Sequence, residues 1–206
     1  MSDARAAAVR HVTVAARDAW SLLRPGVLAA CAVRFPHVKR LALICARYRL
    51  DDLDRALATA FRELVSFGAG RSGVSAEALR ALTQRPLLTE LSVFMHRVPR
   101  LDRRHHEAWR RLEGRRMELV FLNACRQMSA GSLSVLARSV AARHLILLEP
   151  TALKAAHVDE MLARCPKISI LGRSPLRSTK LRRELLARAL PGQLEFAGPG
   201  RGIERS

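Results

Sequence analysis

Met117-Glu-Leu-Val-Phe-Leu-Asn-Ala-Cys125, followed by Met128-Ser-Ala-Gly-Ser-Leu-Ser-Val-Leu-Ala137, is the stretch that decides the fold. The first part places apolar side chains at Met117, Val120 and Leu122, the spacing LxxLxL of a short extended segment. The second part starts at Ser129, a residue type that caps helix N-termini by accepting from a backbone N–H. Leu133, Leu136, Ala137 and Val140 then recur at i, i+3, i+4 and i+7, one face of an amphipathic helix. The change of period from 2 to about 3.6 predicts a strand that leads directly into a helix.

The same opening recurs along the chain. Val9, Val12 and Val14 form the first, and Val38, Leu41 and Leu43 the second. Leu64, Phe67 and Ala69 follow, then Leu88, Leu91 and Val93, the fifth at Met117, and Ala142, Leu145 and Leu147. Ile168-x-x-Leu171 is read as a degenerate seventh. Successive openings start 29, 26, 24, 29, 25 and 26 residues apart. Pro36, Pro86 and Pro166 each stand two residues before an opening, where a helix must have ended. Helical faces follow at Leu53, Leu57 and Phe61 behind Asp51 and Asp52, at Val158, Met161 and Leu162, and at Leu181, Leu185 and Ala189. A unit of this size cannot bury its apolar face alone, so neighbours must stack into one continuous core.

Composition sets the outer bounds. The chain has 206 residues with 49% apolar content, enough for one well-buried domain. It carries 36 Lys+Arg against 18 Asp+Glu, a net charge of +18, and most of the cations are arginine. Such a field favours acidic protein surfaces or nucleic acid. No apolar run approaches the roughly 20 residues of a membrane-spanning helix. Cys31, Cys45, Cys125 and Cys165 lie far apart with no CxxC pair, which favours buried thiols in a reducing compartment, cytoplasm or mitochondrion. The first thirty residues are rich in Ala and Arg, as mitochondrial targeting segments are.

The pattern resembles the cysteine-containing leucine-rich repeats of the ribonuclease-inhibitor-like kind, often found in F-box substrate receptors. Met117 to Cys125 matches LxxLxLxxC, Met128 to Ala137 matches the helix start behind it, and Cys165-Pro-Lys-Ile168 matches the CPxL junction. The resemblance implies an α/β solenoid of about 7 repeats, with a curved parallel sheet on the concave side and helices on the convex side. The expected organisation is an N-terminal extension at residues 1–8, repeats over 9–190, and a flexible tail at 191–206 in which Leu194-Glu-Phe196 adds a short capping strand. The resemblance also offers an F-box-like substrate adaptor as a distant alternative.

Two motifs are weighed against catalysis and cofactors. Gly68-Ala-Gly70-Arg-Ser-Gly73 with Glu90 beyond it mimics a dinucleotide fingerprint. The apolar run before it is short and the next opening comes too soon for a full βαβ unit, so the glycines are read as a strand-to-helix turn. His105-His106-Glu107 with His96 hints at a metal, yet adjacent helical histidines point to different faces. Leu101, His105, Trp109 and Leu112 read better as one packed helix face. No catalytic, cofactor or metal residues are therefore assigned.

Two features remain as sites. Arg97, Arg100, Arg103, Arg104, Arg110, Arg111, Arg115 and Arg116 surround the fourth helix, and Arg173, Arg177, Lys180, Arg182, Arg183 and Arg188 mark the seventh. Both clusters suit an acidic partner or nucleic-acid phosphate. If positions 4 and 6 of each opening point inward, positions 3, 5 and 7 face the concave surface. Phe94, Leu119, Phe121, Ile146, Leu148 and Ile170 then form an apolar strip on a solvent-facing sheet, the mark of a protein interface. The expected function is a non-catalytic interaction scaffold within a larger assembly, of which a ribonucleoprotein is the charge-matched case. Direct RNA binding through the arginine-rich helices is the alternative.

Overall fold

The computed structural model describes residues 8–15, 24–44, 49–94, 103–123, 125–172, 179–197 and 203–205. Eight parallel strands form one open sheet in chain order. They are β1 (His11–Ala15), β2 (Arg40–Ile44), β3 (Ser66–Gly73), β4 (Glu90–Phe94), β5 (Arg116–Asn123), β6 (Ala141–Leu148), β7 (Lys167–Leu171) and β8 (Leu194–Ala197). A ninth, β9 (Ile203–Arg205), pairs antiparallel with β8. Among the described residues, seven α-helices alternate with the strands: α1 (Val27–Arg34), α2 (Leu50–Thr59), α3 (Ala76–Thr83), α4 (Arg103–Arg110), α5 (Ala130–Ser139), α6 (Ala155–Leu162) and α7 (Thr179–Arg188). Every crossover advances the sheet by one strand in the same direction. Right-handed connections then place all the helices on one face, and each helix packs against the next. The result is a solenoid-like stack of repeated β-α units.

The register shows why the opening pattern builds this core. Leu41, Phe67, Leu91, Val120, Leu145, Ile168 and Leu194 stand side by side on successive strands and all are buried. Leu43, Ala69, Val93, Leu122, Leu147, Ile170 and Phe196 form a second buried row. Each leucine so enclosed contributes about 1.5–3 kcal/mol relative to exposure. On β1, Val12 and Val14 keep the same register but are only half-buried, because no earlier unit covers them among the described residues.

Local chemistry fixes the helix starts. Ser129 Oγ accepts from Ser132 N at 3.1 Å and Ser75 Oγ from Ala78 N at 2.9 Å, each cap adding about 1 kcal/mol. Ser75 also donates to the Asp54 carboxylate, which ties α3 to α2. Asp51 and Asp52 occupy the first turn of α2, where the helix dipole favours them. Phe61 does not continue that helix: it lies two residues past its end, buried, with φ 54°.

Two boundaries move. Leu145 pairs with Ile168, so the seventh opening is Cys165-x-x-Ile168-x-Ile170, three residues earlier than Ile168-x-x-Leu171. Ile168 pairs in turn with Leu194, which makes Pro191-x-x-Leu194-x-Phe196 an eighth opening and carries the repeat into the 191–206 segment.

Candidate functional site

Opposite the helices, the sheet presents positions 3, 5 and 7 of the units, most of them at least partly exposed, although Ser169 is buried. Position 5 runs in unbroken register across the strands: Thr13, Ala42, Gly68, Ser92, Phe121, Ile146, Ser169, Glu195. This row changes character at its midpoint. Over β2–β4 the small residues Ala42, Gly68 and Ser92 leave a shallow depression of about 140 Å³, edged by His11 and by Arg40, whose guanidinium stands 3.6 Å from the Glu90 carboxylate. On β5–β7 this face carries large apolar side chains. Leu119, Phe121, Ile146, Leu148 and Leu171 are all half-buried and linked by strand pairing, with Phe121 opposite Ile146 and Leu148 opposite Leu171.

The register shift corrects one member of the expected strip. Ile170 points into the core and is only 1% exposed, while Leu171 takes the outward place. A displacement of three residues reverses the parity of a strand, so every side chain changes face. The backbone of Phe94 lies at the outward end of β4, paired with Asn123, and its side chain is outside the described structure.

At the far edge of the apolar patch, the Ser169 hydroxyl lies between an imidazole and a carboxylate. Ser169 Oγ donates to Glu195 Oε1 at 2.5 Å, and His144 Nε2 stands 2.7 Å from Ser169 Oγ. The Ser169 hydroxyl has one proton, so while it donates that proton's hydrogen bond to Glu195 the imidazole must donate to it through Nε2. Burial, reinforced by the nearby Lys167, pushes the His144 pKa below the usual histidine value, against a smaller opposing effect of Glu195. The cluster bounds the patch with a polar margin. No sequence signal announced it, because its members come from three successive strands.

The glycine motif and the histidine pair resolve into packing. Gly68, Gly70 and Gly73 lie within β3 and not in a turn after it, and the pairing with β4 slips between Gly68 and Gly73 as at a bulge. His105 and Trp109 on α4 are buried, as is Leu112 just past its end. His106 points elsewhere, with Nε2 2.9 Å from Ser132 Oγ on α5. Cys125 is buried with its thiol 3.1 Å from the Leu122 carbonyl, and burial pushes its pKa up to about 12. Cys165 is also buried and its pKa raised for the same reason.

The arginines divide by what they touch. Arg115 is turned inward, donating to the carbonyls of Thr83, Arg85 and Leu88 at 2.6, 2.7 and 2.8 Å. Arg85 likewise donates to the carbonyls of Leu57 and, at 2.8 Å, Ala60 beyond the end of α2. Both have pKa values lowered by burial. Arg103 pairs with Glu107 at 3.3 Å and Arg104 with Glu77 at 3.1 Å. Arg188 pairs with Asp159 at 3.0 Å, and Arg182 stacks 5.2 Å from the Phe196 ring centre. Exposed pairs of this kind stabilise little. Arg110, Arg111, Arg116, Lys180 and Arg183 are exposed. Arg173 and Arg177 lie outside the described residues, as do Arg97 and Arg100.

No protein-family model matches the chain, and no curated protein matches it. Fold and surface define a class, a repeated β-α protein with a solenoid-like parallel sheet backed by helices.

Proposed function

We propose that this is a leucine-rich-repeat scaffold without catalytic function, a subunit of a larger assembly that docks an apolar element of a protein partner on the concave, helix-free face. One observation carries this reading: Leu119, Phe121, Ile146, Leu148 and Leu171 form a contiguous outward apolar patch on three adjacent strands. A sheet face that meets only water gains nothing from such side chains, and contiguous apolar surface of this kind marks interfaces. The helix-side cations supply steering toward an acidic partner, which in a ribonucleoprotein includes RNA phosphate. The test is affinity purification from the native source with wild type and with the Phe121→Asp/Ile146→Asp variant. Loss of a specific co-purifying protein from a normally folded variant supports the reading. Unchanged recovery refutes it.

The second reading, direct RNA binding, draws on the exposed Arg110, Arg111, Arg116, Lys180 and Arg183. It requires RNA affinity that falls steeply between about 50 and 200 mM salt. Absence of binding by the purified protein at low salt rejects it.

A further inference from the structure

A second surface lies at the edge of the sheet where the strands begin, away from the apolar patch. The starts of β5 and β6, the end of α6 and the segment before β8 enclose a cavity of about 460 Å³. Arg116, Arg143 and Arg164 all line it and all are exposed. Among the described residues of its walls the acidic one is Glu118, which stands 3.6 Å from Arg143 with both side chains largely in solvent. Three guanidiniums against one carboxylate leave the site cationic. The remaining wall is apolar, built from Leu162, Pro166 and Leu190, and Leu190 is 70% exposed.

The wall is held in place. Gln193, only 8% exposed, donates through Nε2 to the carbonyls of Leu162 and Cys165 at 2.7 and 2.9 Å. Its Oε1 accepts from Leu190 N at 3.0 Å. One buried amide therefore joins the end of α6, the Cys165 turn and the Leu190 segment. The cavity is preformed, and hydrogen bonds to Gln193 fix the backbone of Leu190 at its rim.

We infer that this cavity binds an acidic peptide segment of a protein partner, with carboxylates at Arg116, Arg143 and Arg164 and an adjacent apolar side chain against Leu190. The planar guanidinium fork matches a carboxylate bidentately. Nucleic acid shares the negative charge but fits less well. Among the described residues no aromatic side chain lines the cavity to stack a base, and the apolar wall offers a phosphate backbone nothing.

The experiment measures fluorescence anisotropy of the full chain with a fluorescein-labelled peptide of glutamate and leucine, and separately with a labelled oligouridylate. The variants are Arg143→Glu/Arg164→Glu, Leu190→Ser and Phe121→Asp/Ile146→Asp, each checked by thermal unfolding. Peptide affinity is expected to fall at least about tenfold on charge reversal and about threefold for Leu190→Ser. The open-face variant retains wild-type peptide affinity, which separates this site from the docking patch. If charge reversal unfolds the protein, Arg143→Gln/Arg164→Gln replaces it with the same expected direction. The inference is overturned by undetectable peptide binding at low salt, by full affinity in the folded cavity variants, or by loss confined to the open-face variant. Oligouridylate binding that falls as much as peptide binding on Leu190→Ser also overturns it.

Discussion

The Arg115 guanidinium closes the end of α3 by donating from Nη1 to the Thr83 carbonyl, 2.6 Å away. A helix leaves its last carbonyls without partners, and a cation there satisfies them and complements the helix dipole. Arg115 extends its reach to Arg85 and Leu88, and Arg85 does the same service for the end of α2. Two half-buried arginines thus each lace one unit of the stack to the preceding one.

Replacing Arg115 with alanine is expected to destabilise the protein by about 1.5–3 kcal/mol, the cost of losing hydrogen bonds to a charged donor. Arg115→Lys should recover only part, because an ammonium cannot span three carbonyls as the guanidinium does. Arg104→Ala, which removes an exposed pair with Glu77, should stay within about 0.5 kcal/mol. Urea midpoints of the three variants check this. Equal midpoints for Arg115→Ala and Arg104→Ala would remove the capping argument.

Gly68 and Gly172 are expected to respond oppositely to alanine. Gly172 has φ +79°, and a Cβ there would stand 2.8 Å from Glu149 Cγ. That carboxylate is held by Arg126, with Nη2 2.7 Å from Oε1, and Glu149 itself has φ 57°. Gly172→Ala should therefore cost about 1–3 kcal/mol. Gly68 has ordinary φ, and its nearest neighbour would be Ser92 Cβ at 4.0 Å. Gly68→Ala should be neutral or stabilise by up to about 1 kcal/mol. Thermal melts of the two variants decide the matter.

Much of the fold was legible because a parallel sheet backed by helices demands apolar residues at fixed positions, and Leu91/Val93 or Val120/Leu122 meet that demand plainly. Ser129 announced its helix for a similar reason, since capping is a local event. The seventh unit misled because Cys165 stands where the first five units carry a larger apolar side chain, and Ile168 offered itself as a substitute start. Pro191 hid the eighth in the same way. In the candidate site, Leu119, Phe121, Ile146 and Leu148 followed from alternation once the register was right. The role of Arg115 could not, since charge alone does not reveal which carbonyls a guanidinium reaches after folding. The Gln193 clamp is equally non-local: it links residues 28 and 31 positions apart.

Stability should decline as pH falls from about 7 toward 5, through two histidines. His157 Nδ1 accepts from Lys154 N at 3.1 Å, a bond that needs an unprotonated nitrogen, and His144 sits beside Ser169. Burial lowers the pKa of both, more than their charged neighbours Lys167 and Glu195 at His144, or Glu160, Lys154 and Arg138 at His157, alter it. In the unfolded chain each titrates near 6.5. Above that value neither state binds the proton and the stability contribution is complete. As pH falls below it, the unfolded state binds protons that the folded state still refuses, so the equilibrium shifts toward unfolding until the lowered folded pKa is passed. His157→Asn keeps an acceptor at the Nδ1 position and His144→Gln keeps a donor at the Nε2 position, and neither titrates. Urea midpoints of the double variant should be nearly flat between pH 7 and 5.5, while those of wild type decline. Parallel curves would show that other groups govern the acid response.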